Sequence, residues 1–224
     1  VFPRYHQLSV VKSLLGDAKR DGVGGRYLIQ HSAGSGKSNS IAWLAHQLVT
    51  LKNDSGKEIF DTVIVVTDRI NLDKQIKDTI KQFMQVSATV GWAKSAGELK
   101  QLLNEGKKII ITIVHKFQFI LDDIGEVHKD KNFAILIDEA HSSQNGSLSA
   151  KMNMVLSGSV YDDEDDLEDK INTIIEGRKM VKNASYFAFT ATPKNKTLEM
   201  FGYQDPDFGD FRPHHLYSMK QAIK

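Results

Sequence analysis

The chain of 224 residues contains no cysteine, so disulfides and thiolate metal sites are excluded. It lacks a strong charge of either sign: 29 Lys and Arg stand against 28 Asp and Glu, a formal net charge of +1. Any contact with nucleic acid must therefore come from a local surface rather than from a basic domain. No apolar run approaches the roughly 20 residues needed to cross a bilayer, so no membrane contact is expected. No signal peptide, internal repeat or low-complexity tract is visible, and the eight histidines fall in no metal-ligand spacing; the adjacent His214 and His215 would point in different directions. The chain opens on Val1 and reads as a piece of a longer cytoplasmic protein. What it does have, at 41% hydrophobic and 25% charged residues, is the composition of a globular domain.

Five apolar, β-branched or aromatic runs read as buried strands: 27–30, 62–67, 109–114, 133–137 and 186–190. Helical patterns lie between or beside them at 38–51, 71–83, 96–104 and 167–180. Alternating strands and helices predict an α/β fold, a mainly parallel sheet covered on both faces, with ligands gathered at the carboxyl ends of the strands. The acidic run at 162–166 reads as a solvated loop, and 206–213 as irregular chain.

Between the first strand and the first long helix stand His31, Ser32, Ala33, Gly34, Ser35, Gly36, Lys37 and Ser38. Small residues at Ala33, Gly34, Ser35 and Gly36 let backbone N–H groups close around an anion, and the helix that follows adds its positive end. Lys37 can reach the outer phosphates of ATP, and the Ser38 hydroxyl can ligate Mg2+. The strict pattern of a phosphate loop has glycine where this chain has His31. The fourth strand runs directly into Asp138, Glu139, Ala140 and His141. Asp138 would hold Mg2+ through its water shell, and Glu139 would orient or deprotonate the attacking water. The pattern Glu105-Gly106-Lys107 fits a loose nuclease motif but reads as a surface turn, since no preceding strand supplies a partner acid.

In this order the motifs resemble the first motor domain of superfamily-two helicases and translocases. That resemblance implies a three-layer RecA-like P-loop NTPase lobe over 1–205, with 206–224 leading toward a second motor lobe. The segment from Phe2 to Gln7 resembles the family's adenine-reading stretch, with Gln7 on the adenine edge and Arg4 beside it. Phe189-Thr190-Ala191-Thr192-Pro193 resembles the coupling motif, whose Thr190 and Thr192 would act with His141 to link the γ-phosphate to DNA grip. The stretches 65–75 and 112–117, the latter with His115 where Gln is usual, and the segment 215–223 are similar to the R subunits of type I restriction enzymes.

The implied activity is ATP-driven translocation along double-stranded DNA. The implied partners are methyltransferase and specificity subunits and a second lobe of the same chain. DNA contacts, mainly to phosphate, are expected near Thr67, Arg69, Thr112 and Lys116. Two alternatives stay open on the residues. One is another superfamily-two enzyme: a type III restriction motor, a repair helicase or an RNA helicase. The other is a nucleotide-binding switch that does not translocate. On any of these readings the arginines that complete hydrolysis lie on a second lobe, so this piece alone should hydrolyse ATP barely or not at all.

Overall fold

The computed structural model describes residues 3–67, 90–93, 95–114, 121, 124, 128–138 and 181–218. The chain begins with helix α1 (Tyr5–Asp21), followed by strand β1 (Arg26–His31) and helix α2 (Lys37–Val49). Strands β2 (Thr62–Thr67) and β3 (Val90–Trp92), helix α3 (Ala96–Asn104) and strands β4 (Ile109–Ile113), β5 (Phe133–Asp138) and β6 (Ala184–Thr190) come next. Helix α4 (Asn195–Phe201), a hairpin of β7 (Tyr203–Gln204) and β8 (Phe211–Arg212), and strand β9 (His215–Tyr217) complete the described fold.

Seven strands form one sheet in the order β3-β4-β2-β5-β6-β1-β9. Every neighbouring pair in it is parallel. Parallel neighbours need crossovers, and the crossover helices cover both faces of the sheet, so the inner strands are apolar on both sides. Each residue of β2, β5 and β6 is buried. Alternate residues serve opposite faces. Val63, Val65, Ala134, Leu136, Phe187 and Phe189 join α1 and α2 through Val10, Leu14, Ile41, Leu44 and Leu48. Ile64, Val66, Ile135, Ile137, Tyr186 and Ala188 join Leu99 and Leu103 of α3 and Phe201 of α4. The result is the α/β three-layer arrangement expected from the sequence.

All five expected strands form, each within two residues of its expected ends. The helix expected at 96–104 is α3, and the one expected at 38–51 ends two residues earlier at Val49. The helices expected at 71–83 and 167–180 and the acidic run at 162–166 lie outside the described residues. One expectation needs correction. The stretch 206–213 is not wholly irregular, because Phe211 and Arg212 pair with Gln204 and Tyr203. Asp205 organises this turn: its side chain accepts from the amides of Asp207 and Phe208 and pairs with Arg212 at 2.8 Å. Residues 105–107 form the expected turn after α3, with Gly106 at a φ of 69°.

Because the strands are parallel, His31, Thr67, Ile113, Asp138, Thr190 and Tyr217 all end at one edge of the sheet. The order also places β6 between β5 and β1. The ends of the Asp138, Thr190 and His31 strands are therefore consecutive, at about 4.8 Å per step.

Candidate nucleotide site

The loop between β1 and α2 turns twice through the left-handed region, at Gly34 (φ 77°) and Gly36 (φ 80°, ψ 38°). Only glycine takes this conformation without strain. Ser35, between them, is buried, whereas Ala33 and Gly34 are exposed. Lys37 and Ser38 open α2 half-buried, where the first amides of the helix have no intrahelical acceptor and carry its positive end. The Lys37 ammonium folds back on the loop, donating to the carbonyls of His31 at 3.1 Å and Ser32 at 3.3 Å. An anion above the loop would face these amides and this ammonium together.

Helix α1 braces the loop from outside. Gln7 Oε1 accepts from the Arg4 backbone N–H at 2.9 Å, the half of a capping box in which the third residue of the helix reaches back. Its Nε2 donates to the carbonyls of Gly36 at 3.1 Å and Ser35 at 3.3 Å. A Cβ at Gly36 would run into Gln7 Nε2, so a side chain there would displace the Gln7 amide from the loop. His6 Nε2 lies 2.8 Å from the Ser35 carbonyl, adding a third bond to the same segment. The structure thus brings Gln7 to the loop, while the Arg4 side chain lies exposed at the start of α1.

Asp138 ends β5, 2% exposed, in register with Phe189 of β6. Thr190 ends β6, fully buried, in register with Gln30 of β1. Gln30 Nε2 donates to the carbonyl of Ala191 at 3.4 Å, tying the chain between Thr190 and Thr192 to the strand that feeds the loop. Thr192 itself is exposed. Farther along the edge, Thr67 and Thr112 are buried, and neither hydroxyl has a hydrogen-bond partner among the described residues. Glu139, His141, Arg69 and Lys116 lie outside the described residues.

Histidine dominates the electrostatics on the far side of the loop. His31 is fully buried, and burial, then His215, His6 and Lys37, push its pKa down to about 3. Burial and then His6 lower His215 as well. The two rings meet at 2.8 Å, His31 Nε2 to His215 Nδ1. His31 Nδ1 has no partner among the described residues. The tautomer protonated at Nε2 leaves a bare lone pair there instead of a stranded N–H, so His31 donates and His215 accepts. His214, as expected, points elsewhere: its Nδ1 accepts from the Leu28 amide at 3.2 Å.

The sequence model of SWI2/SNF2 ATPases matches residues 6–224. The chain belongs to the SWI2/SNF2 ATPase family. This SWI2/SNF2 ATPase chain is similar to the endonuclease subunit of the type I restriction enzyme SsaAORF53P of Staphylococcus saprophyticus, 27% identical over 98% of the chain and 20% of that subunit. It is 30% identical to the endonuclease subunit of the type I restriction enzyme HindI of Haemophilus influenzae, over 87% of the chain and 17% of that subunit. The chain therefore spans about a fifth of the length of these relatives. In fold it resembles a fragment assigned to an HsdR subunit of a type I restriction enzyme from Vibrio vulnificus, with a TM-score of 0.53 at 15% identity, over 99% of this chain and 31% of that one. The similarity to restriction-enzyme R subunits read from the motifs thus holds over nearly the whole chain.

Sequence reasoning did not find His6, His215 or Tyr217 as neighbours of the loop. The strand that carries His215 and Tyr217, β9, is three residues long, too short for an alternating pattern, and only its pairing with β1 places it, while His6 reaches the loop from α1. Among the described residues, no group of three or more His, Asp or Glu could hold a metal ion, and no helix is long and apolar enough to cross a membrane.

Proposed function

We propose that this SWI2/SNF2 ATPase domain is the first motor lobe of a type I restriction enzyme R subunit, binding ATP and driving movement along double-stranded DNA. The observation that carries the reading is the glycine-turned loop. It is braced by Gln7, carries Lys37, and follows β1, which a single strand, β6, separates from the Asp138 strand. Loop amides at Ala33, Gly34, Ser35 and Gly36 and the Lys37 ammonium would bind the β- and γ-phosphates. To do so, Lys37 exchanges the carbonyls of His31 and Ser32 for phosphate oxygens. Gln7 and Arg4 would face the adenine.

The Ser38 hydroxyl and, through water, Asp138 are the groups suited to hold Mg2+; carboxylate and hydroxyl oxygens match a hard cation. Mg2+ bound there would offset phosphate charge. Glu139 orients or deprotonates the attacking water. His141, Thr190 and Thr192 connect the hydrolytic site to DNA grip, and the bond from Gln30 to Ala191 gives the phosphate-loop strand a direct link to the Thr190–Thr192 segment. Duplex contacts, chiefly to phosphate, are assigned to the strand ends at Thr67 and Thr112 and to Arg69 and Lys116, which lie outside the described residues.

A second motor lobe supplies the arginines for transition-state charge, an effect of roughly a thousandfold or more in related ATPases. Methyltransferase and specificity subunits complete the assembly, and the domain works in the cytoplasm. ATP turnover by the complete protein with those subunits tests this reading. Stimulation by duplex DNA carrying a recognition site is the expected result. Stimulation by RNA or single strands in its place would move the protein to another branch of the superfamily.

A further inference from the structure

Strand β9 is fastened to the phosphate loop by more than its ladder. The Ser32 amide, first in the loop, donates to the Tyr217 carbonyl at 2.9 Å. The His31 and His215 rings share a hydrogen bond at 2.8 Å. The Tyr217 ring stacks on His6 at 3.9 Å and 10°, and His6 in turn touches the Ser35 carbonyl at 2.8 Å. Three contacts thus join three points of the loop, His31, Ser32 and Ser35, to one three-residue strand. That strand runs parallel to β1, so the chain after Tyr217 leaves the sheet at the edge where the loop lies.

We propose that His31, His215, Tyr217 and His6 form a clasp that sets the phosphate loop and the exit of the chain at β9 together, so that nucleotide on the loop fixes the direction in which the chain leaves this domain. The proposal rests on the ATP-site reading and adds to it a regulated part, the segment that follows residue 217. A loop that rearranges around phosphates moves the Ser35 carbonyl and the Lys37 contacts with the His31 and Ser32 carbonyls. Through His6 and the imidazole pair it must carry Tyr217 and His215 with it or break those bonds. His31 is then more than a stand-in for glycine, since glycine offers nothing to His215. At neutral pH burial holds both imidazoles neutral, which leaves His215 Nδ1 able to accept from His31.

Hydrogen exchange on the full chain, with and without Mg2+ and a non-hydrolysable ATP analogue at saturation, tests the clasp. In the unaltered chain the analogue should slow exchange in residues 32–36 and, in step, in 214–218. His215→Phe, which keeps a ring but removes the acceptor, should retain slowing in the loop and reduce it in 214–218, where the Ser32 and His6 contacts with Tyr217 remain. His215→Asn, whose amide oxygen can take the place of Nδ1, should restore it. Slowing confined to the loop in the unaltered chain, or coupling undiminished by His215→Phe, would overturn the clasp and leave the ATP site standing. Failure of the unaltered chain to bind the analogue would overturn both.

Discussion

Gln7 donates from its side-chain amide to the carbonyl of Gly36, across 29 residues of sequence, at 3.1 Å. The bond locks the first helix of the domain to the residue that caps α2. It makes Gly36 a position with two demands, a φ of 80° and no Cβ. Gly34 has the first demand alone, with a φ of 77° and open space where a Cβ would stand. Gly36→Ala should therefore destabilise the chain by more than Gly34→Ala, which should lose about 1 kcal/mol through the backbone. It should also weaken nucleotide binding, as measured by urea unfolding and by titration with a fluorescent ATP analogue. Equal effects at the two glycines would remove the steric role of Gln7.

The imidazole of His31 predicts a pH dependence of stability. Its folded pKa lies near 3, below the ordinary value of 6.5, so the unfolded chain binds the proton more readily. The contribution is fully present above about 6.5 and is lost as pH falls from there toward 3. The groups facing the ring are His215, His6 and Lys37, all of which favour its neutral form. The melting temperature should fall between pH 7.5 and 5, and His31→Gln, which keeps a donor near the Nε2 position without titrating, should flatten that fall. An unchanged slope in His31→Gln would assign the pH sensitivity to other groups.

On the proposed reading Asp138 would hold Mg2+ through water, and the adjacent Glu139 would orient or deprotonate the attacking water. Asp138→Asn should weaken the Mg2+ dependence of nucleotide binding. Glu139→Gln should leave ATP binding within a few-fold of the unaltered protein while abolishing turnover, since it removes a base and no phosphate contact. Single-turnover hydrolysis in the complete protein, set beside binding, separates the two. Normal turnover by Glu139→Gln would remove that residue from the role of base.

The parts of the fold that the sequence displayed are those dictated by local chemistry. The inner strands are apolar on both faces because helices cover both, and runs such as Val63–Val66 and Phe133–Ile137 signal that directly. Gly34, Gly36 and the small residues between β1 and α2 announce a tight turn, and the structure has one, with both glycines in the left-handed region. The three-residue strands β3 and β9 carry no such signal. Val90, Gly91 and Trp92 become a strand by pairing with β4, and His215 to Tyr217 by pairing with β1. The same limit hid the histidine contacts. His6, His31 and His215 are far apart in sequence, and only the ladder between β1 and β9 and the packing of α1 bring them to one loop. The turn around Asp205 was hidden because a single carboxylate, caging two amides and an arginine, closes a hairpin in a stretch without β-branched residues.

Binding of ATP by the chain and by Lys37→Ala tests the central claim most directly. The ammonium would supply charge-assisted hydrogen bonds worth about 1.5–3 kcal/mol, so the substitution should weaken Mg2+-ATP binding roughly ten- to a hundredfold or more. The melting temperature without nucleotide should change little, because Lys37 is half-buried and its contacts are to the loop's own carbonyls. Undiminished ATP affinity in Lys37→Ala would contradict the assignment of residues 31–38 as the phosphate-binding loop.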